Sequence, residues 1–408
     1  MPSAVPHVVP LPEITTHLRK RKALPAVWMR AGTSKGLYLH RKDLPVQQDD
    51  WAGVITRVMG SYDSDPKQLN GIGGATSTTS KVAVVAPSKR EDADVDYTFV
   101  QVALGSPKLD MTGNCGNIAS GVGPFAIDEG IVEVKPGETE VQVRVFNTNT
   151  NAIVVETVKV DSDGHFLEDG DCALPGLRST GSQVAMTFAK PAGAMTGKLL
   201  PTDRPLDTIL IESPLGLLEP IAISVSMIDA ANPFCFVDAT TLPNFFAEKG
   251  PAASESIDFI ELVRQKAAVM MGLAEDIETA ALTRGTPKIA VLKEPTRRDE
   301  ADVTDVEVVA YSMGKVHGSL QLTGAVCLGS AACVPGSVAY QLRSQSRVAR
   351  PLKRQDSGLV VGVEKVHLRH PGGDMDVDVH LSGEGEVEGV AVFRTARRLF
   401  EGKVYYLQ

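Results

Sequence analysis

Two residues in this sequence have surroundings suited to proton transfer. Cys115 lies in Gly113-Asn-Cys-Gly-Asn117, directly ahead of a segment with the composition of a buried helix. The first N–H groups of a helix lack intrahelical acceptors and carry partial positive charge. Such a position favours a thiolate and holds a carboxylate. Lys81 closes Gly71-Ile-Gly-Gly-Ala-Thr-Ser-Thr-Thr-Ser-Lys81 and opens an apolar run, Val82–Ala86. Glycines, hydroxyls and a lysine also describe a phosphate loop. A Walker loop, however, needs GxxxxGK[ST] between a strand and a helix, and here a strand follows the lysine, which excludes that use. What remains is a loop in which Gly73, Gly74, Thr76 and Ser77 hold carboxylates while Lys81 enters the site. The competing reading is a solvated lysine at a strand start.

Two further polar segments fit an anionic ligand. In Arg30-Ala-Gly-Thr-Ser-Lys-Gly36, the Arg30 guanidinium with Thr33 and Ser34 can grip a carboxylate in two-pronged fashion. In Ser312-Met-Gly-Lys-Val-His317, His317 either orients a carboxylate or caps a helix. Cys172, Cys235, Cys327 and Cys333 read as inert thiols. The five cysteines have no CxxC spacing, which argues against zinc and against a disulfide scaffold and fits a reducing compartment.

The elements that must position these residues occur twice. Residues Lys81–Leu104 and Lys288–Met313 share one pattern: a lysine, a β-branched run, a charged turn, an acidic stretch and an alternating strand. Each is followed by a small-residue segment, at 113–123 and 317–326, predicting buried helices from Asn117 and from Leu320. Gly121, Gly123, Gly324 and Gly329 would let strands approach these helices closely. Further strands are predicted over Ala26–Arg30, Gly36–His40, Tyr97–Val102 and Val141–Phe146. The clearest amphipathic helix is Ser256–Met271, with Phe259, Leu262, Val263 and Met270 on one stripe and Gly272 as a stop. The expected fold is α+β: two related halves, each a barrel-like sheet around a buried helix, with a site between them. The boundaries read as an N-terminal extension over 1–25, a first domain over 26–195 and a second over 196–408. The final strand near 402–408 is free to return to either half. Lys288, the repeat-mate of Lys81, needs no function to explain it.

Composition narrows the classes. The net charge of −9 and the lack of a basic face beyond Arg19-Lys-Arg-Lys22, read as a solvated tail, exclude nucleic acid as a partner. No apolar run approaches the length that spans a bilayer, which predicts no membrane partner. No secretory segment opens the chain. The expected location is the cytoplasm, with the mitochondrial matrix as the weaker alternative.

Taken in order, Arg30–Gly36, Gly71–Lys81, Gly113–Asn117, Gly197-Lys-Leu-Leu-Pro-Thr202 and Ser312–His317 resemble the methylaconitate cis-trans isomerase family from about Ala26 to the C-terminus. Relatives include 3-methylitaconate isomerase, 4-oxalomesaconate tautomerase and fungal aconitate Δ-isomerase. The resemblance implies a diaminopimelate-epimerase-like fold, no cofactor, no metal, a small polycarboxylate substrate and a homodimer. It implies Lys81 and Cys115 as catalytic residues. It implies substrate contacts from Arg30, Thr33, Ser34, Gly73, Gly74, Thr76, Ser77, Asn114, Gly116, Asn117, Ser312, Met313 and His317. At Asp203 this sequence departs from relatives that continue with glycine.

The residues themselves favour an isomerase over an epimerase. Aligning Ser120-Gly-Val with Thr323-Gly-Ala sets Gly318 against Cys115, so the second thiol of a two-cysteine racemase is missing. Together with the resemblance, this implies a cofactor-independent shift of a proton and double bond in an unsaturated tricarboxylic acid. Aconitate or 2-methylaconitate is the expected substrate, with aconitate first because the extended proline-rich termini resemble those of fungal relatives. A 4-oxalomesaconate-type tautomerase, a cysteine hydrolase or acyltransferase using Cys115 with His317, and a non-catalytic carboxylate binder are the alternatives.

Overall fold

A computed structural model describes residues 19–111, 115–212, 220–283, 285–299, 301–312, 314–348 and 362–408. The elements in the first half are β1 (Arg21–Ala31), β2 (Ser34–His40), α1 (Trp51–Met59), β3 (Lys81–Pro87), β4 (Val95–Val102), β5 (Leu109–Asp110), α2 (Gly116–Ala119), α3 (Val122–Asp128), β6 (Glu140–Asn147), β7 (Ala152–Lys159) and β8 (Val184–Ala189). There follow β9 (Asp207–Ile211), β10 (Ile221–Ala230), β11 (Asn232–Asp238), α4 (Asn244–Lys249), α5 (Ser254–Met270), α6 (Ile277–Leu282), β12 (Lys288–Lys293) and β13 (Val306–Ser312). The chain ends with β14 (Lys315–Val316), α7 (Leu322–Ala331), α8 (Val338–Val348), β15 (Val363–His370), β16 (Gly373–Leu381), β17 (Val387–Arg394) and β18 (Ala396–Leu407).

The result is a mixed α/β fold built on one large sheet. The same order of pairings occurs twice along it. In the first half, β1 pairs antiparallel with β2, β2 parallel with β3, β3 antiparallel with β4 and β4 parallel with β6, followed by antiparallel β7 and β8. In the second, β10, β11, β12, β13, β15, β16 and β17 repeat that sequence of directions. Strands β8 and β17 join the two along an antiparallel seam.

The apolar runs that open each repeat have a physical cause. Strand β3 is covered on both faces, so it reads as continuous rather than alternating hydrophobics. Val82 and Val84 pack under α1, whereas Ala83 and Val85 face α2 and α3. In β12, Ile289 and Val291 pack under α5, and Ala290 and Leu292 face α7. The helices enclosed by strands are nearly free of charge because they are buried on all sides. A Cβ on Gly121 would lie 2.4 Å from Tyr38 Oη, and one on Gly329 would lie 2.7 Å from Val377, so strands do approach at these small residues.

Several expectations need correction. The body begins at Arg21, not Ala26. The charged Arg19–Lys22 run is not a free tail: Lys20 exchanges backbone hydrogen bonds with Gln408, and Arg21 and Lys22 pair in β1 against Leu407 and Tyr406 of β18. The final strand therefore returns to the first half. The helix predicted from Asn117 to Ile127 is broken at Ser120–Gly121 into α2 and α3. The second buried helix starts at Leu322, two residues later than Leu320. Helix α5 stands where predicted and stops at Gly272 (φ +71°), but its buried stripe runs through Phe259, Ile260, Val263 and Ala267. Leu262 and Met270 are exposed. Among the described residues, no helix is long and apolar enough to cross a membrane.

Candidate active site

Lys81 stands at the first position of β3, directly across from Gln101 of β4. Its side chain lies on the same face as Ala83 and Val85, and only 9% of the residue is exposed. Nζ donates to Gln101 Oε1 at 2.7 Å and sits 5.1 Å from the centre of the Phe99 ring. Gln101 is itself fixed, donating from Nε2 to the carbonyls of Ser80 and Ser77. Lys81 is therefore not solvated, and its ammonium is oriented by one neutral acceptor.

The loop before Lys81 is organised by buried Gln68. Its Oε1 accepts from Ala75 N and Ser80 Oγ, and its Nε2 donates to Ser61 Oγ. Gly73 passes so near that a Cβ there would lie 2.2 Å from Gln68 Oε1. Gly74 is exposed, as are Thr76 and Ser77 at the tip, and Thr76 Oγ1 shares hydrogen bonds with the Thr78 and Thr79 hydroxyls. Neither Gln68 nor Gln101 was foreseen. The signal is faint: a glutamine ahead of a glycine-rich loop and one in a strand rich in β-branched and aromatic residues.

Cys115 is half-buried at the residue preceding α2, and that short helix packs against β1, β2, β3 and β4. Gly116 allows α2 to meet the start of α7, because a Cβ there would lie 2.6 Å from Leu322 Cβ. The residue that precedes α7 is Gln321, not Gly318, and its side-chain N and O are buried without partners. Asn117 ties three segments together. Its Nδ2 donates to Thr33 Oγ1 at 3.1 Å and Ser34 Oγ at 3.5 Å, and its Oδ1 accepts from Arg394 Nε at 3.2 Å. Gly32, in the left-handed region (φ +54°), is where a side chain would collide with that same Oδ1.

Arg30 has other work than the one expected of it. Nη1 donates to the Thr395 carbonyl at 2.6 Å and to Thr395 Oγ1 at 2.8 Å, and Nη2 donates to the Ala396 carbonyl at 3.1 Å. Burial and neighbouring Arg397 lower its pKa. Ser312 is the last residue of β13. His317 does not cap α7; its Nδ1 lies 2.6 Å from the Ser319 carbonyl. Asn114 and Met313 lie outside the described residues.

Two buried groups escaped the sequence reading altogether. Arg394, at the end of β17, is 6% exposed and lies opposite Val184 on the seam between the halves. Burial pushes its pKa down to about 10, with the thiols of Cys115 and Cys172 pulling the other way. His370 ends β15, 5% exposed, with its Nδ1 accepting from Gly372 N at 3.0 Å. Burial first, then the Arg394 cation, lowers its pKa to about 4. The sequence signal for either is faint, an arginine closing the mostly apolar β17 and a histidine closing the mixed β15. Burial raises the pKa values of Cys172, Cys235, Cys327 and Cys333. Among the described residues, no cluster of His, Cys, Asp and Glu is arranged to hold a metal ion.

Relatives that this chain matches over nearly its whole length are named as isomerases and a tautomerase. A 3-methylitaconate isomerase of Eubacterium barkeri is 37% identical over 396 residues, covering 94% of this chain and 97% of its own. A 4-oxalomesaconate tautomerase of Pseudomonas putida is 34% identical, covering 93% and 95%. A 2-methyl-aconitate isomerase of Cupriavidus necator is 32% identical, covering 95% and 98%. The crystal structure of a methylitaconate-delta-isomerase superposes with a TM-score of 0.79 at 35% identity, covering 95% of this chain and 96% of that one. The model of the PrpF protein family matches residues 21–407, and the chain belongs to that family.

Proposed function

We propose that this isomerase moves a proton and a double bond within an unsaturated tricarboxylic acid, with aconitate or 2-methylaconitate as the first substrates to test. The observation that carries the reading is the pairing of a buried, Gln101-held Lys81 with Cys115 at the start of the helix packed on the same strand. A carbon acid flanked by a carboxylate and a double bond gives up its proton to one of these two groups. The resulting allylic carbanion spreads its charge onto the carboxylate, where fixed N–H and O–H donors stabilise it. Return of a proton at the far carbon completes the shift and moves the double bond. Two groups suffice, one to remove the proton and one to supply it.

In this reading the two halves are copies of one ancestral unit. The repeated order of strand pairings and the contact between Gly116 and Leu322 support it. The substrate lies between the halves. The Gly73–Ser77 loop, the Thr33–Ser34 turn and Asn117 serve it from one side, and Ser312 and His317 from the other. A keto–enol shift of the 4-oxalomesaconate type needs the same two proton-transfer groups, and the tautomerase relative supports it as the second substrate class.

The test is to incubate the protein separately with cis-aconitate, trans-aconitate, 2-methylaconitate, methylitaconate and oxalomesaconate and to separate the products by chromatography. A new isomer from at least one acid is expected. If every acid is returned unchanged, the proposed reaction is wrong.

A further inference from the structure

The geometry points to Arg394, assisted by His370, as the anchor for a substrate carboxylate at the seam between the halves. This inference rests on the proposed reaction for the identity of the ligand, but its physical basis is independent of it. A buried guanidinium needs a counter-charge or a full set of acceptors. Arg394 has neither. Nε donates to the neutral amide oxygen of Asn117, and Nη1 donates to the carbonyl of its own neighbour, Phe393, at 2.8 Å. Among the described residues Nη2 has no hydrogen-bond partner, and no carboxylate forms an ion pair with the guanidinium. The acid on the adjoining hairpin, Asp374, is already committed to Arg369 and Arg298.

His370 adds a second unused donor. Because its Nδ1 accepts from Gly372 N–H, the neutral ring carries its proton on Nε2. That Nε2 is buried and unpartnered. His370 follows Val366 and Leu368, and Arg394 follows Val390 and Val392, so both project to the inner face of the sheet. The turn after His370 also abuts the His317 loop, because a Cβ on Gly372 would lie 3.0 Å from the Gly318 carbonyl. Arg394 thus reaches Asn117 from one half, and His370 reaches the His317 loop of the other. A carboxylate between them would supply the missing charge and acceptors. Arg394 would bind it by a charge-assisted contact, and His370 by a neutral N–H.

The test uses tricarballylate, a saturated tricarboxylate with no double bond to move, so binding is read separately from turnover. Calorimetric titration is performed on the full-length wild type and on Arg394→Met, Arg394→Lys and His370→Leu, together with thermal melts. Arg394→Met is expected to weaken binding roughly 10²- to 10³-fold. Its melting temperature should hold or rise, because a buried unpaired charge has been removed. Arg394→Lys, which keeps the charge but not the fork, is expected to lose about 10-fold, and it decides the matter if the methionine variant does not fold. His370→Leu should also cost about 10-fold. Wild-type affinity in both arginine variants, or no tricarballylate binding by the wild type, overturns the assignment even if turnover is observed. Binding with the expected losses but without turnover of any acid upholds the anchor and rejects the proposed reaction instead.

Discussion

The two halves of this molecule solve the same packing problem with different chemistry around the enclosed helix. In the first half the helix is broken, and polar groups pin it on both sides of the break. Tyr38 Oη donates to the Ile118 carbonyl at 2.5 Å, and Glu156 Oε2 accepts from Gly123 N at 2.9 Å. In the second half α7 is continuous, and apolar groups take those places. A Cβ on Gly324 would meet Phe234, and one on Gly329 would meet Val377 where Gly123 meets Glu156. The lysines differ in the same way. Lys81 turns to the inner face and is held by Gln101, whereas Lys288 lines a small cleft against Ile257, Ile260, Glu261 and Arg264 of α5. Among the described residues, Lys288 Nζ has only the Gly285 carbonyl, at 3.4 Å. Directed hydrogen bonds fix an element in position, whereas packing alone only fills space. On the proposed function, the first half is the one that holds its lysine and enclosed helix by directed hydrogen bonds.

The largest effects are expected at Lys81 and Cys115, with Lys288 as the counterpart that should show almost none. Lys81→Ala and Cys115→Ala are each expected to lower kcat by about 10²- to 10⁴-fold with the melting temperature little changed. Lys288→Ala should leave kcat within about threefold, since burial already disfavours its charged form and no catalytic neighbour holds it. Equal losses at Lys81 and Lys288 in steady-state assays would erase the distinction. Next comes Gln101→Leu. It removes the acceptor that orients Lys81, and a kcat loss of roughly 10- to 100-fold with KM little changed is expected. An unaltered kcat would show that Lys81 needs no orientation.

Glu156 sets the first half apart in its response to pH. Burial raises its carboxyl from 4.5 to about 8, against the pull of the Gly123 N–H. Its folded-state pKa is the higher one, so its stabilisation is complete below pH 4.5 and is lost as pH rises towards 8. Glu156→Gln keeps the acceptor for Gly123 and abolishes this titration. Relative to wild type, it should gain on the order of 3 kcal/mol between pH 5 and 8 in denaturant titrations. Parallel pH profiles for the two proteins would mean that Glu156 does not titrate in that window.

The smallest effect concerns Asp203, the residue at which this sequence departs from the resemblance. It sits at φ +59°, a conformation that glycine adopts without cost, and Lys198 Nζ contacts its carboxylate at 2.8 Å. Asp203→Gly should stabilise by about 0.5 kcal/mol once the exposed ion pair is discounted. A melting temperature lowered by the change would show that the ion pair outweighs the backbone strain.

The recurring strand pattern, the strands that open it, the two enclosed helices and the places of Lys81 at a strand start and Cys115 ahead of a helix were legible in the sequence. Those features are written locally, as apolar runs, glycine clusters and one lysine or cysteine at a boundary. Gln101, Gln68, Arg394 and His370 were not legible because their roles come from register. Gln101 matters only because β4 sets it opposite Lys81, and Arg394 only because β17 closes against β8. Arg30 was over-read for the same reason. A two-pronged cation looks available in sequence, but the β17–β18 corner brings Thr395 and Ala396 to its fork. The break between α2 and α3 was also hidden, since Tyr38 reaches the Ile118 carbonyl from a strand 80 residues away.

Proton NMR in D₂O tests whether this chain moves a proton between carbons using Lys81 and Cys115. Wild type incubated with cis-aconitate or 2-methylaconitate should interconvert isomers and deliver deuterium to the allylic carbon, while Lys81→Ala and Cys115→Ala should do neither at a comparable rate. Isomer formation that continues at the wild-type rate in either variant, or that proceeds with no exchange between carbon and solvent in any oxalomesaconate or aconitate incubation, would contradict it.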